Sequence, residues 1–333
     1  MEKSVSVVIP CLNEEKHILD VIKAIADQSY STRLIEILIA DGGSTDGTLN
    51  QIDLSRTMFP ELAIKVVNNP KRNIPTGLNL AIKNSSGEII VRMDAHTIPH
   101  RNYIQYSVEN LQNEEIANVG GLWLIQPGQD TWIGKSIAAA ASHPLGAGDA
   151  RYRYSLATGF VETVPFGAFH RELFTQIGYF DETLLSNEDY EFNSRIIRNG
   201  GKIYYDPRIK SNYIARGTLK DLIRQYWRYG FWKFKMLRKY PETIRLRQAL
   251  PPLFVLMVLS LLILAIFFPA SLIILSVILI VYFVILTFAS LKLAKKESDF
   301  RLIAGIPISI LLMHISWGTG FIFSFISKNR GYN

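Results

Sequence analysis

Cysteine is nearly missing from the chain: Cys11 is the only one in 333 residues. No intrachain disulfide can form, and the composition suits a reducing compartment. No GxGxxG follows the first strand pattern and no GxxxxGK[ST] occurs anywhere, so a Rossmann dinucleotide loop and a P-loop are both unsupported. Nothing at the start reads as a secretory signal, because Glu2 and Lys3 lead straight into a short apolar run ending at Pro10. Acidic residues are scarce between Leu219 and Arg247, where nine Lys and Arg face two carboxylates. The excess of +7 in that segment equals the formal net charge of the whole chain, +7. The basic character therefore belongs to one segment, and no nucleic-acid partner is expected.

Charge then disappears from Gln248 to Leu291. As one helix this run would extend about 66 Å against a hydrocarbon core of about 30 Å. It must form at least two spans, and Phe268-Pro269-Ala270-Ser271 is the natural break. Lys292, Lys295, Lys296 and Arg301 close the pair, and Leu302 to Ile326 gives a third uncharged stretch. Spans are expected at about 250–268, 270–291 and 302–326. The third is interrupted by Gly305, Pro307, His314, Gly318 and Gly320, and either spans or re-enters. Three regions follow: a catalytic domain over 1–218, basic amphipathic interfacial helices over 219–247, and a membrane region over 248–333.

The first 218 residues alternate strand and helix patterns. SVSVVIP, IEILIAD, AIKVVNN and EIIVRMD read as strands. Asn13 to Gln28, TDGTLNQIDL, PTGLNLAIK and NYIQYSVENLQN read as helices. Such alternation predicts a Rossmann-like α/β fold, a mostly parallel sheet with flanking helices. Ligands of these sheets bind at the carboxyl ends of the strands. Three polar clusters fall there: Pro10-Cys11-Leu12-Asn13-Glu14, Asp41-Gly42-Gly43-Ser44 and Asp94-Ala95-His96. Each alone is ordinary turn chemistry; three on one edge make a site. With no phosphate loop, a divalent cation, Mg²⁺ or Mn²⁺, is the candidate to hold any phosphates.

Five motifs then occur in order: VVIPCLNEE, IADGGSTDGT, GEIIVRMDAH, NEDYEFNSRI and QYWRYG. Over residues 4–230 the chain resembles glycosyltransferase family 2, whose catalytic domain has the GT-A fold. The DAH variant and the membrane tail are most similar to glucosyltransferases that assemble succinoglycan-type exopolysaccharide on a lipid carrier. The resemblance implies that Pro10, Asn13 and Glu14 line a nucleoside pocket, and that Asp41 accepts from a uracil-type base beside Gly42. It implies a loose match of Lys71 and Arg72 to a basic residue near the nucleotide, and Asp94 as the first residue of a DxD element that reaches the metal. His96 departs from DxD. An imidazole can ligate Mn²⁺ or Mg²⁺, although oxygen suits hard cations better; the alternative is a turn residue bonded to a neighbouring carbonyl.

The resemblance also makes Asp189 the general base, with Glu188 orienting the acceptor; read alone, Asn187-Glu188-Asp189 is equally a helix-capping cluster. Gln225, Arg228 and Tyr229 match the family's QxxRW motif, with Tyr229 in place of Trp. Arg228 could clamp a diphosphate, or the helix could lie on the membrane with its arginines facing lipid phosphates. The segments from Phe166 to Arg171 and Phe180 to Glu182 fall where the family shapes its acceptor pocket. One base without a covalent nucleophile implies single displacement with inversion. The expected enzyme moves a sugar, glucose first, from a UDP-linked donor to a polyprenyl-diphosphate-linked oligosaccharide. It is expected in the plasma membrane as a multi-pass protein with its catalytic domain cytoplasmic. A processive polysaccharide synthase and a catalytically silent nucleotide-sugar-binding membrane adaptor are the alternatives.

Overall fold

The computed structural model describes residues 2–327. The chain forms two compact units. One combines the chain up to Leu124 with Tyr154–Tyr213; the other combines Ile125–Arg153 with the chain from Ile214 onward.

The first unit is built on a nine-stranded sheet. Its strands are β1 (Val5–Cys11), β2 (Ile35–Asp41), β3 (Ala63–Asn68), β4 (Ile89–Arg92), β5 (Ile98–Pro99), β6 (Ile116–Gln126), β7 (Gly159–Val161), β8 (Ala168–His170) and β9 (Lys202–Ile214). They run in the order β3-β2-β1-β4-β8-β6-β9-β5, with β7 also paired to β9. The half β3-β2-β1-β4 is parallel. β8 is antiparallel to both β4 and β6, as β5 and β7 are to β9. The sheet is thus mixed, and its parallel part ends where the strand–helix alternation ends.

Every residue of β1 and β2 is buried, as helices on both faces require. Val5, Val7, Ile9, Ile35, Ile37 and Ile39 form one cluster with Ile18, Val21, Ile22 and Ile25 of the Ile18–Ala26 helix. The Ile74–Lys83 helix packs on β1 and β2 as well. Each fully buried Val, Ile or Leu contributes roughly 1.5–3 kcal/mol. Register then aligns the strand ends: Cys11 lies opposite Asp41, and Asp41 opposite Asn68. The first helix starts at Ile18, later than its pattern suggests, because Asn13 takes a left-handed conformation, φ 56°.

The second unit is helical. Leu302–Ile326 is one unbroken helix, not a re-entrant pair, and it packs against the helices Leu219–Lys239, Trp132–Ala141, Leu246–Leu264 and Ala270–Glu297. The residues that interrupt its apolar pattern are contact points. A Cβ on Gly320 would lie 2.1 Å from the Trp227 carbonyl oxygen, and one on Gly230 would lie 2.0 Å from that of Trp317. Only glycine permits such a backbone approach. His314 Nε2 lies 3.0 Å from the Leu145 carbonyl oxygen and its Nδ1 2.8 Å from Tyr282 Oη.

Two helices, Ala270–Glu297 and Leu302–Ile326, are long and apolar enough to cross a membrane. The first has 11% of its apolar window buried against the chain and the second 50%. The first expected span, 250–268, is instead a shorter apolar helix that stops at Leu264, since Phe267 and Phe268 turn the chain ahead of Pro269. Lys328 and Arg330, which bear on the side reached by the last helix, lie outside the described residues.

The glycine contacts predict that Gly320→Leu destabilises the helical unit by about 1–3 kcal/mol through overpacking. Thermal unfolding in detergent, compared with the exposed-site control Leu256→Ala, would measure it. An unchanged midpoint would contradict the close crossing.

Candidate active site

The carboxyl edge of the parallel strands is closed by side chains that bind the loops to one another. Asn13 donates its N–H to Ser44 Oγ at 2.9 Å and accepts from the Thr45 N–H at 2.9 Å through Oδ1. Both bonds tie the loop after β1 to the loop after β2. Asp41 is buried, and its carboxylate takes the N–H groups of Gly43 (3.0 Å) and Ser44 (3.1 Å) and the Ser44 hydroxyl (2.5 Å). It therefore shapes its own loop. Arg72 lies over that loop: a Cβ on Gly43 would sit 3.2 Å from its guanidinium. Pro10 lies in β1 against the Ile74–Lys83 helix, where a Cβ on Gly77 would stand 3.3 Å from the proline ring and 3.4 Å from Ala40. Glu14 reaches sideways, with its Oε1 3.0 Å from His96 Nδ1. The first and third polar clusters are thus joined by a carboxylate–imidazole pair.

Lys71 pairs with Glu182 at 2.8 Å. Glu182 also accepts from Thr76 Oγ1 (2.9 Å) and Asn79 Nδ2 (3.0 Å). Asn79 in turn holds both the N–H and the carbonyl of Phe180, so the 180–182 segment is pinned to the Ile74–Lys83 helix.

The centre of the site is a residue that the motifs do not single out. Arg92, the last residue of β4, is 3% exposed. Its Nη2 lies 2.8 Å from Glu188 Oε1 and 3.5 Å from Asp94 Oδ1. Phe166 and Phe180 flank the guanidinium, with ring centroids 5.8 and 5.9 Å away. Phe166 and Gly167 reach this place through positive φ, 62° and 94°. A Cβ on Gly167 would meet Asn118 Oδ1 and the Phe169 ring at 2.5 Å, so glycine is required there. Burial works against the charge of Arg92, yet Glu188, Asp94 and Asp189 together hold its pKa above the ordinary value. Removing one partner of such a buried pair costs about 3–5 kcal/mol.

Glu188 and Asp189 open the Glu188–Arg198 helix behind Asn187, which is left-handed at φ 67°. Asp189 is partly exposed and accepts the Tyr190 N–H at 2.7 Å. Burial, first, and then the Glu188 carboxylate push its carboxyl up to about 6. Arg92 and the Tyr190 N–H oppose the rise, and Asp94 adds to it. A carboxylate of this kind is ionised at neutral pH and basic enough to take a proton.

Asp94, Glu188 and Asp189 thus meet around Arg92, although 94 residues separate Asp94 from Glu188 in the chain. Gln225, Arg228 and Tyr229 belong to the second unit, on the Leu219–Lys239 helix. There Gln225 Nε2 donates to Tyr229 Oη at 2.9 Å, and the Tyr226 and Tyr229 rings meet edge-on at 5.7 Å.

Among the described residues no group of three or more His, Cys, Asp or Glu side chains is placed to hold a metal ion. Asp94 Oδ1 is buried without a hydrogen-bond partner. A carboxylate oxygen that makes no hydrogen bond and meets Arg92 Nη2 at 3.5 Å fits a cation that draws most of its ligands from a bound diphosphate.

Comparison with known proteins settles the lineage. Residues 6–178 match the family described as Glycosyl transferase family 2. The chain belongs to glycosyltransferase family 2. It is 29% identical, over 98% of its length and 99% of the other's, to the dolichyl N-acetyl-alpha-D-glucosaminyl phosphate 3-beta-D-2,3-diacetamido-2,3-dideoxy-beta-D-glucuronosyltransferase of Methanococcus voltae. It is 30% identical to the succinoglycan biosynthesis protein ExoA of Rhizobium meliloti, over 74% of this chain and 73% of that one. Among solved structures it resembles the mannosyltransferase PcManGT of Pyrobaculum calidifontis, solved with GDP-Man and Mn²⁺. The TM-score is 0.56 at 22% identity, covering 72% of this chain and 65% of that one. The transferase therefore has the GT-A fold, with its apolar helices following the catalytic sheet.

The Glu182 contacts make a pH-dependent contribution to stability. Lys71, first, and then Asn79 and Thr76 hold its carboxyl down to about 2, from the ordinary 4.5. A depressed carboxyl stabilises the fold above its unfolded pKa and loses that effect as pH falls through the folded one. Glu182→Gln should therefore be less stable than the parent at pH 7, with the gap closing between pH 4.5 and pH 2. Chemical denaturation across that range would check it; a constant gap would refute it.

Proposed function

We propose that this transferase moves a sugar, glucose as first candidate, from a UDP-linked donor to a hydroxyl of a polyprenyl-diphosphate-linked oligosaccharide, with inversion at the anomeric carbon. The observation that carries the reading is the placing of Asp189 beside Asp94 around one buried arginine. In it, Asp94 and His96 hold a divalent cation, which when bound neutralises charge on the departing diphosphate. Pro10, Asn13, Glu14, Asp41, Gly42 and Lys71 line the nucleotide side, the Asp41 loop being preorganised by its own hydrogen bonds. Asp189 takes the proton of the acceptor hydroxyl as that oxygen attacks C1 and the nucleoside diphosphate leaves. Glu188 orients the acceptor side. No covalent sugar–enzyme bond is formed.

The lipid-linked acceptor is supported by the names of the two relatives, one a transferase to a dolichyl phosphate-linked sugar and the other a protein of exopolysaccharide assembly. The basic segment 219–247 would lie at the inner leaflet. The catalytic unit is then cytoplasmic, where nucleotide sugars are made. A processive synthase is the second reading; three helices offer little wall for a polymer channel.

Membranes carrying the enzyme, given a panel of nucleotide sugars and a lipid-linked glycan, should yield one added hexose by mass with a UDP-sugar. A ladder of products would favour the processive reading, and no product with any donor would favour the silent adaptor. Asp189→Asn should lower kcat by about 10²–10⁴-fold while nucleotide affinity stays within about threefold. Because the ionised carboxylate is the working form, kcat/KM should fall on the acid side of about pH 6. An equal loss of nucleotide affinity in Asp189→Asn, or a flat acid limb, would count against the base.

A further inference from the structure

Arg92 is a buried cation for which neither the strand pattern nor the five motifs provide a purpose. In the middle of an apolar wall, a strand of this type ends on Val, Ile or Leu, and β4 reads Ile-Ile-Val-Arg. The guanidinium sits between the donor-side loop that bears Asp94 and the helix start that bears Glu188 and Asp189. Its backbone is fixed on both sides: the Arg92 N–H donates to the Gly167 carbonyl at 3.0 Å, and Val8 of β1 lies opposite it in register. Its Nε and Nη1 atoms are buried without a hydrogen-bond partner, so its hold on the site passes through Nη2, on Glu188 and Asp94. The rings of Phe166 and Phe180 flank the charge.

We propose that Arg92 is the positioning residue of the transfer reaction, a fixed cation that joins the donor carboxylate Asp94 to the base-bearing turn at Glu188-Asp189 and so sets the spacing between them. Pinning Glu188 orients the first turn of the Glu188–Arg198 helix, and Asp189 is the next residue on that turn. The two carboxylates would otherwise repel Asp189 and each other across the same space. Nucleotide binding at the Asp41 loop does not depend on this link; proton removal from the acceptor does. The inference rests on the base reading of Asp189 given above.

The test uses the full-length enzyme in detergent or nanodiscs. Binding of UDP with Mn²⁺ is measured by calorimetry, and single-sugar transfer to a lipid-linked acceptor is followed by mass. Arg92→Met should bind UDP within about threefold of the parent yet lose at least about 100-fold in kcat, with KM for the donor little changed. Arg92→Lys, which restores the charge without the planar fork, should recover about tenfold of that loss. Parent-like turnover in Arg92→Met would overturn the proposal, as would a loss of UDP affinity in step with kcat. Since Arg92→Met strands a buried carboxylate and could unfold the site, the double variant Arg92→Met/Glu188→Gln is measured beside Glu188→Gln. If the double variant stays as slow as Arg92→Met, the spacing role stands. If it turns over faster than Arg92→Met, toward the parent rate, Arg92 merely neutralises Glu188 and the proposal fails. Parent-like transfer by Asp189→Asn would sink the base reading itself; a slow Asp189→Asn beside a parent-like Arg92→Met would sink only the part given to Arg92.

Discussion

A guanidinium enclosed by two aromatic rings and held by carboxylates is the constraint around which the catalytic unit is organised. Such a charge cannot be taken out of water cheaply, and its position in the fold persists only because Glu188 lies 2.8 Å away with Asp94 beyond it. Satisfying it brings the end of a parallel strand to the start of a helix that follows almost a hundred residues later. The same arrangement leaves Asp189 short of compensation, since its two acidic neighbours compete for one cation. Its raised carboxyl follows from burial first and then from that shortage. Electrostatic frustration of this kind is common where a carboxylate must accept a proton near neutral pH.

Around this centre the unit uses small polar contacts for geometry. Asn13 ties two loops together, Asp41 holds its own loop, and Asn79 pins the 180–182 segment to a helix, each through short bonds to backbone or hydroxyl groups. Asn13 and Asp41 were expected to face a nucleotide. What they also do is hold the edge in shape, which is what a preorganised binding surface requires. The helical unit uses a different device. Its central helix meets its neighbours through glycines whose missing Cβ atoms allow backbone-to-backbone contact, the usual solution where apolar packing alone cannot distinguish a partner helix from lipid.

Much of this was legible beforehand. Short β-rich apolar runs and period-3.6 patterns identified the four parallel strands and their helices, because both are local properties of residue order. The ligand edge followed from the polar clusters at the ends of those strands. Of the antiparallel half, β5, β7 and β8 were not legible: they are two or three residues long, too short for any periodicity to register. Nor did pattern reveal the partner of Lys71. An exposed lysine near a loop carries no mark of the carboxylate it will meet, and Glu182 comes 111 positions later.

By itself the residue order determined the fold class, the ligand edge and the presence of apolar helices of membrane length, since each depends on composition and spacing within a short window. Tertiary structure alone decided that Arg92 and Glu188, 96 positions apart, share one buried ion pair, and that Gly230 and Gly320 lie at helix contacts. Those outcomes depend on which surfaces meet when the chain compacts. A charge pair or a backbone crossing between distant segments leaves no periodic trace in either segment.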